Sequence, residues 1–207
     1  MKDINLFRVK DSLYLREVAS KEDVLIDLDC DGFLVRGSEK VCRSIVASLD
    51  DRKEKRVIAF VGGDDLLNRR ALETLKIDFL VSPELGRRKD GLKQRDSGLN
   101  HVVAKIAKEK GIGIVVDFGD VSRLEGVEMG RRIARIMQNV RVCRKAGCDM
   151  KIMSFGRKKG EVFGEKARRA FGEVVGMSSL EVRRSTGEIG CACESGFACE
   201  IESLDFL

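Results

Sequence analysis

Short apolar runs alternate with amphipathic segments along this chain. Residues 57–61, 79–81 and 114–116 are apolar on consecutive positions, as in parallel strands that are buried on both faces. Between these runs, apolar residues recur at spacings of three and four, which is the pattern of one buried helix face. The alternation predicts an α/β protein.

The clearest unit lies between Phe79 and Phe118. Its first strand ends before Pro83, the only proline in the chain, because proline cannot continue a central strand ladder. An apolar stripe then begins at Leu99 and continues to Ala107, and Gly111 is placed to end the helix. The unit therefore consists of a strand, a long basic loop, a helix and a second strand.

Weaker patterns predict the other elements. We expect strands at 24–29 and 150–155, helices at 38–49, 66–76, 123–147 and 161–175, and a helical turn at 180–184. The helix at 123–147 has one apolar stripe, and its other faces predict a basic outer wall of Arg131, Arg132, Arg135, Arg141, Arg144 and Lys145. We expect one α/β domain over 1–207, in which 186–207 form an irregular or hairpin extension.

Composition limits the class of protein. The 207 residues suit one domain, and 43% hydrophobic with 5% aromatic residues indicate an aliphatic core. The net charge is only +5, but basic residues cluster at 87–95, 131–145 and 157–169. Clustered positive charge favours a polyanionic partner.

The sequence also predicts the cellular compartment and the state of the cysteines. The sequence has no apolar run long enough to span a membrane and no signal-peptide pattern at its start, so we expect a cytoplasmic protein. Seven scattered cysteines predict free thiols rather than a disulfide framework. Cys191, Cys193 and Cys199 lack the spacing and the neighbouring histidine of a zinc site.

The basic loop is the main candidate for chemistry. Five cationic residues fall within nine positions, and Asp96 or Ser97 could cap the helix that follows. Cations beside a helix N-terminus favour anion binding, and loops at strand carboxyl ends carry function in α/β proteins. A second basic loop, flanked by Gly156 and Gly160, contains Arg157, Lys158 and Lys159. The alternative interpretation is an exposed charge run without a ligand.

One motif resembles a known family. Residues 95–105 read Arg-Asp-Ser-Gly-Leu-Asn-His-Val-Val-Ala-Lys, Ser82-Pro83 precede them, and Gly111 and a strand ending in Asp117-Phe118 follow. This segment resembles the p30 protein subunit of ribonuclease P (archaeal protein component 3), with similarity over about 57–176. The resemblance implies a TIM-like (β/α) barrel of the PHP-like superfamily.

The resemblance also implies a function. The family binds ribonuclease P RNA, pairs with a Pop5-type subunit (protein component 2) and other ribonuclease P proteins, and supports RNA-catalysed removal of the 5′ leader from precursor tRNA. We therefore expect no catalytic residue, metal ligand or cofactor in the chain, with Mg²⁺ serving the RNA. The predicted RNA-binding residues are Arg87, Arg88, Lys89, Lys93, Arg95, Ser97, His101, Arg157, Lys158 and Lys159.

Two other functions remain open. Asp27, Asp29 and Asp117 could serve an independent PHP-type metal-dependent phosphoesterase, although a dinuclear site would need several histidines and the chain has one. A barrel enzyme that binds a small phosphorylated molecule is the third possibility, but the two loops carry more positive charge than one phosphate requires.

Overall fold

Parallel strands follow one another in sequence order around a sheet. The computed structural model describes residues 3–26, 29–50, 56–86, 89–91 and 95–186. Within these residues each strand pairs in parallel with the next, so the order is β1 to β7. The strands are β1 (Asp3–Asn5), β2 (Ser12–Val18), β3 (Gly32–Val35), β4 (Val57–Val61), β5 (Phe79–Val81), β6 (Gly113–Asp117) and β7 (Met150–Met153).

The sheet closes on itself between its first and last strands. The Phe155 N–H donates to the Ile4 carbonyl at 2.8 Å, and the Leu6 N–H donates to the Gly156 carbonyl at 2.8 Å. The buried Asp3 carboxylate adds a link, because it accepts the Ser154 N–H at 2.9 Å and lies 3.3 Å from the Arg168 guanidinium. The predicted TIM-like barrel is thereby confirmed.

Helices cover the outside of the barrel. They are α1 (Asp23–Ile26), α2 (Glu39–Asp50), α3 (Asp65–Thr74), α4 (His101–Glu109), α5 (Phe118–Ser122), α6 (Gly126–Ala146), α7 (Glu165–Val174) and α8 (Ser179–Thr186). Short 3-10 turns occupy Pro83–Leu85 and Lys159–Glu161. None of the helices in the described ranges has both the length and the apolar character that a membrane crossing requires.

Apolar side chains fill both faces of the strands. Leu15, Leu34 and Val115 point into the barrel, where they pack with Met153 and Phe155. Alternate residues point outward and pack against the helices, and among them are Phe33, Phe60, Leu80, Ile114 and Ile152. A barrel interior packed in this way is a core rather than a chamber, so polar chemistry belongs at the ends of the strands.

Several predicted elements are confirmed. The strands at 57–61 and 79–81 have the predicted bounds, and the helices near 38–49 and 66–76 are α2 and α3. The helix expected at 123–147 begins at Gly126, because the short helix α5 precedes it, and α7 begins later than predicted. The hairpin expected at 188–202 lies outside the described residues.

The strand expected at 24–29 is wrong, because α1 occupies Asp23–Ile26. The Asp23 carboxylate accepts the N–H groups of Ala19 and Ser20, each at 2.9 Å, while the Asp23 N–H points back to the Ser20 hydroxyl at 3.4 Å. This reciprocal pair is a capping box, which starts a helix. The local cap therefore overrides the apolar run that follows it.

Candidate nucleic-acid interface

Loops that follow the strand carboxyl ends meet at one end of the barrel. We use the name carboxyl rim for three of them: the β5–α4 loop (82–100), the β6–α6 connection (118–125) and the β7–α7 loop (154–164). Parallel strands place all three at the same end of the barrel. The two basic loops predicted from the sequence are therefore on one surface, as expected.

Buried Asn68 on helix α3 fixes the start of the β5–α4 loop. Its side-chain amide donates to the carbonyls of Gly63, Pro83 and Gly98 at 3.1, 2.9 and 2.8 Å, and its oxygen accepts the Gly63 N–H at 2.8 Å. Gly98 has a φ of +71°, and an added Cβ there would lie 1.9 Å from the Pro83 carbonyl oxygen. The loop can close only because this residue is glycine.

Helix α6 holds the same loop from the other side. The buried Arg135 guanidinium donates to the carbonyls of Glu84 and Gly86 at 3.1 and 2.6 Å and to the Asp90 carboxylate at 2.9 Å. Asn139 donates to the Ser97 carbonyl at 3.0 Å. The prediction that Arg135 belongs to a basic outer wall is therefore wrong, because its charge is used inside the protein to shape the loop.

The structure describes two of the five predicted cations of this loop. Lys89 is exposed, and Arg95 is exposed with one guanidinium nitrogen 3.6 Å from the Asp90 carboxylate. Asp96 and Arg135 hydrogen-bond to Asp90 and hold the pKa of that carboxyl below its usual range, although burial acts in the opposite direction. Arg87, Arg88 and Lys93 lie outside the described residues.

Ser97 and His101 occupy different environments at the start of α4. Ser97 is 1% exposed, and its hydroxyl accepts a hydrogen bond from Gln138 at 2.9 Å, which indicates a role in holding the loop. His101 is exposed on the first turn of the helix. The expectation that Asp96 or Ser97 caps this helix is wrong, because the Asn100 side chain accepts the Val103 N–H at 3.0 Å.

The β7–α7 loop presents the second basic group. Arg157, Lys158 and Lys159 are all exposed. Arg157 pairs with Glu17 at 3.0 Å, and Lys158 lies 3.7 Å from Glu161. Lys159 is thus the cation in this loop for which the structure shows no ion pair among the described residues.

A chain of ion pairs joins the two basic loops across the β6–α6 connection. Arg123 lies 3.3 Å from Glu161 and 3.6 Å from Asp120, and Arg132 lies 3.1 Å from Asp120 and 3.6 Å from Glu84. The rim is therefore a surface of alternating charges rather than a uniformly positive one. An open groove of about 680 Å³ runs beside Lys89, Arg131 and Arg132.

Two rim carboxyls have strongly perturbed acidity. Burial raises the pKa of Glu84 to about 7, and Arg132 only partly offsets this effect. Burial also raises the pKa of Asp117 to about 7, while the Asp120 N–H that Asp117 caps acts in the opposite direction. Both groups are buried at the rim, so their charge at neutral pH affects how strongly the rim attracts anions.

The carboxylates proposed for a metal enzyme are not brought together. Asp29 precedes the amino end of β3 and pairs with Arg8 at 2.7 Å, whereas Asp117 is the last residue of β6 at the opposite end of the barrel. Asp27 lies outside the described residues. In the parts of the chain that the structure describes, no group of three or more His, Cys, Asp or Glu side chains could hold a metal ion.

Sequence reasoning missed the residues that shape the rim. Asn68 shares a helix face with Ala71 and Leu72, and Asn139 lies beside Val140 on the buried side of α6. A polar residue on an apolar helix stripe is the signal that could have found them, because a buried amide needs hydrogen-bond partners. The signal does not indicate which loop supplies those partners.

The fold and the site define a class: a parallel α/β barrel whose carboxyl rim carries two basic loops joined by ion pairs. The chain matches no protein-family model. Its sequence is nevertheless similar to that of curated archaeal proteins named ribonuclease P protein component 3, which confirms the resemblance predicted from the motif.

Three such relatives show the extent of this similarity. The protein of Methanocaldococcus jannaschii is 28% identical over 120 residues, which are 58% of this chain and 49% of the relative. The Haloarcula marismortui protein is 28% identical over 67% of this chain and 55% of the relative. The Thermococcus gammatolerans protein is 29% identical over 69% of this chain and 63% of the relative. The matched region therefore spans between about half and just under two thirds of each relative.

Solved structures share the fold. A chain in a cryo-electron microscopy structure of archaeal ribonuclease P with mature tRNA matches with a TM-score of 0.68 and 22% identity, over 89% of this chain and 86% of that chain. An amidohydrolase matches with a TM-score of 0.54 and 14% identity, over 80% and 42%. A prolidase complexed with N-methylphosphonate-L-proline matches with a TM-score of 0.54 and 17% identity, over 89% of this chain and 53% of that chain. At these identities the likeness shows the barrel fold.

Proposed function

We propose that this protein is an RNA-binding subunit of ribonuclease P that supports RNA-catalysed removal of the 5′ leader from precursor tRNA. The observation that carries the proposal is the sequence similarity to ribonuclease P protein component 3 of several archaea. The match to a chain of archaeal ribonuclease P supports it, because it covers most of both chains.

The carboxyl rim suits RNA better than a small anion. Exposed Lys89, Arg95, Lys158 and Lys159 are spread over two loops that the β6–α6 connection links, so they can meet several phosphates along a backbone. Only 5% of the residues are aromatic, which favours recognition of backbone and shape over base stacking. Buried Asn68, Arg135 and Asn139 hold the β5–α4 loop, which carries Lys89 and Arg95, in place.

Catalysis in this proposal belongs to the RNA and its Mg²⁺ ions. The protein neutralises phosphates and holds the RNA fold, in the cytoplasm, and supplies neither a nucleophile nor a metal ligand. We therefore expect no cleavage of precursor tRNA by the RNA-free chain in the presence of Mg²⁺. Multiple-turnover cleavage by the purified chain after nuclease treatment would favour the phosphoesterase alternative instead.

A Pop5-type protein is the proposed partner within the complex. This part rests on the family resemblance and not on a surface patch of this chain. The two purified proteins should elute together in size-exclusion chromatography, earlier than either alone. Elution as two separate species at micromolar concentration would contradict the pairing but would leave the RNA-binding proposal standing.

The most direct test of the function is to capture the tagged chain from an extract of its own cells and to sequence the RNA that accompanies it. The proposal predicts ribonuclease P RNA, together with Mg²⁺-dependent removal of the 5′ leader by the captured complex. Nuclease treatment of the complex should abolish that activity. Capture of unrelated RNA, or of none, would contradict the proposal.

A further inference from the structure

The end of helix α6 brings two cysteines together. The Cys148 N–H donates to the Cys143 carbonyl at 2.9 Å, and the Gly147 N–H donates to the Arg144 carbonyl at 3.2 Å. Gly147 has the left-handed conformation, with φ 68° and ψ 31°. These features form a Schellman motif, in which the side chains at the two outer positions contact each other. Here those positions are Cys143 and Cys148.

The two thiols are free and differ in environment. Both are buried, and the Cys143 thiol lies within hydrogen-bonding reach of the Cys148 sulfur. This hydrogen bond lowers the pKa of Cys148. The same hydrogen bond and burial raise the pKa of Cys143 well above its usual range. Cys148 is therefore the group of the pair that more readily becomes a thiolate.

Charged side chains from three helices and from Asp149 surround the pair. Lys108 of helix α4 approaches Gly147 and also favours the Cys148 thiolate, whereas the neighbouring Asp149 opposes it. From α6 and α8, Arg144, Glu181 and Arg184 line the same space, and Glu181 further raises the pKa of Cys143. A cavity of about 160 Å³ at this place gives a small reagent an approach to the sulfur atoms.

We propose that Cys143 and Cys148 form a redox modification site, which a low-molecular-weight disulfide converts to an intramolecular disulfide. The Cys148 thiolate attacks one sulfur of the reagent, so a mixed disulfide forms and the first small thiolate leaves. Cys143 then loses its proton to that thiolate and attacks the Cys148 sulfur, which releases the second small thiolate. Two electrons pass from the cysteines to the reagent, whose two halves leave as thiols once each has gained a proton.

The new bond would connect the last turn of α6 to the short connection that leads into β7. The backbone hydrogen bond already fixes the two residues beside each other, so oxidation requires little movement of the chain. The same helix carries Arg135 and Asn139, which hold the β5–α4 loop. Oxidation would therefore restrain the C-terminal end of α6, the helix that holds the β5–α4 loop of the carboxyl rim.

The test is peptide mapping of the folded full chain after incubation with glutathione disulfide at pH 8. Remaining thiols are alkylated in denaturant, and the chain is digested with trypsin without reduction. The proposal predicts a disulfide-linked pair made of residues 142–144 and 146–151, which reduction separates. Recovery of both peptides as alkylated singles, or linkage of either one chiefly to another cysteine, would overturn the proposal.

Serine variants test the order of the two steps. Cys143→Ser should accumulate glutathione on Cys148, whereas Cys148→Ser should leave Cys143 mostly unmodified. Cys42→Ser is the matched control, because burial raises the pKa of Cys42 to about 12, and this variant should form the 143–148 linkage as the wild type does. Faster modification of Cys143 than of Cys148 would contradict the assigned roles. The wild-type mapping does not depend on the folding of any variant.

Discussion

Arg135 carries a charge that serves the protein rather than a ligand. Its guanidinium binds the Asp90 carboxylate and the carbonyls of Glu84 and Gly86, so its removal takes this donor from two buried carbonyls and one partner from Asp90. Arg135→Met should lower the free energy of unfolding in urea by about 3–5 kcal/mol. Arg131→Met is the matched control and should change the free energy of unfolding by less than about 1 kcal/mol, because Arg131 is exposed and its ion pair with Glu128 lies at the surface. Equal effects of the two substitutions would contradict this role.

Glu84 should make stability depend on pH. Its pKa is about 7 in the folded state against an ordinary value of 4.5, so the folded protein binds the proton more tightly. The resulting stabilisation is complete below pH 4.5 and is lost as the pH rises through 7, and its size is on the order of 3 kcal/mol.

Thermal denaturation of Glu84→Gln at pH 5 and pH 8 measures this effect. Glutamine stays neutral, so the melting temperature of the variant should fall less between the two pH values than that of the wild type. Asp117 titrates in the same range and remains in both proteins, so the difference between them isolates Glu84. An identical pH dependence of the two proteins would show that Glu84 is ionised in the folded state throughout.

The sequence alone does not predict which groups the buried polar residues contact. Periodicity places Asn68 and Arg135 on helices, but it does not reveal that both donate to carbonyls of the β5–α4 loop, which lie 15 to 51 residues away in the chain. Arginine is usually exposed, so Arg135 was assigned to the outer surface. Only the three-dimensional path of the β5–α4 loop shows that this arginine is buried.

Asn100 caps helix α4, because its side chain accepts the Val103 N–H. Asn100→Ala removes this cap and should lower the free energy of unfolding by about 1 kcal/mol. Asn100→Ser keeps a capping oxygen and should recover most of the loss, although both variants lose the contact to Asp65. Equal stability of the alanine and serine variants in chemical denaturation would assign the effect to the Asp65 contact instead of the cap.

Elements with strong periodicity were predicted well, and those that depend on caps or loops were not. Strand β4 has the predicted bounds because five consecutive apolar residues suit a strand buried on both faces. The run after Asp23 looks similar, but the capping box with Ser20 makes it helical. The β5–α4 loop has no periodicity, and its course is set by side chains of α3 and α6.

The barrel architecture places the two basic loops together at the carboxyl rim. Apolar side chains fill the barrel interior, and parallel strands bring both basic loops to one end. The rim alternates cations with carboxylates, so the RNA binding that we propose should depend on the exposed cations and not on the net charge of +5. The family resemblance predicted the barrel and is the basis of the proposed function, while the clustering of positive charge in the sequence predicted the two basic loops of the rim.

Salt dependence of binding to ribonuclease P RNA tests the central claim. Lys89, Arg95 and Lys159 are exposed on the rim, whereas Lys10, Arg141 and Lys145 are exposed away from it. Replacing either set with alanine removes three positive charges of the same kinds. Neither triple variant should lose much stability, because exposed substitutions usually change it by less than about 0.5 kcal/mol each.

The decisive measurement is the slope of log affinity against log salt concentration for the wild type and both variants. If each rim cation neutralises one phosphate, the rim variant should bind more weakly and its slope should be smaller by roughly two units, at about 0.7 to 0.9 per phosphate. The control variant should keep the wild-type slope within about half a unit. Equal slopes for the two variants, or an unchanged slope in a folded rim variant, would contradict the account and leave the two loops as exposed charges without an RNA ligand.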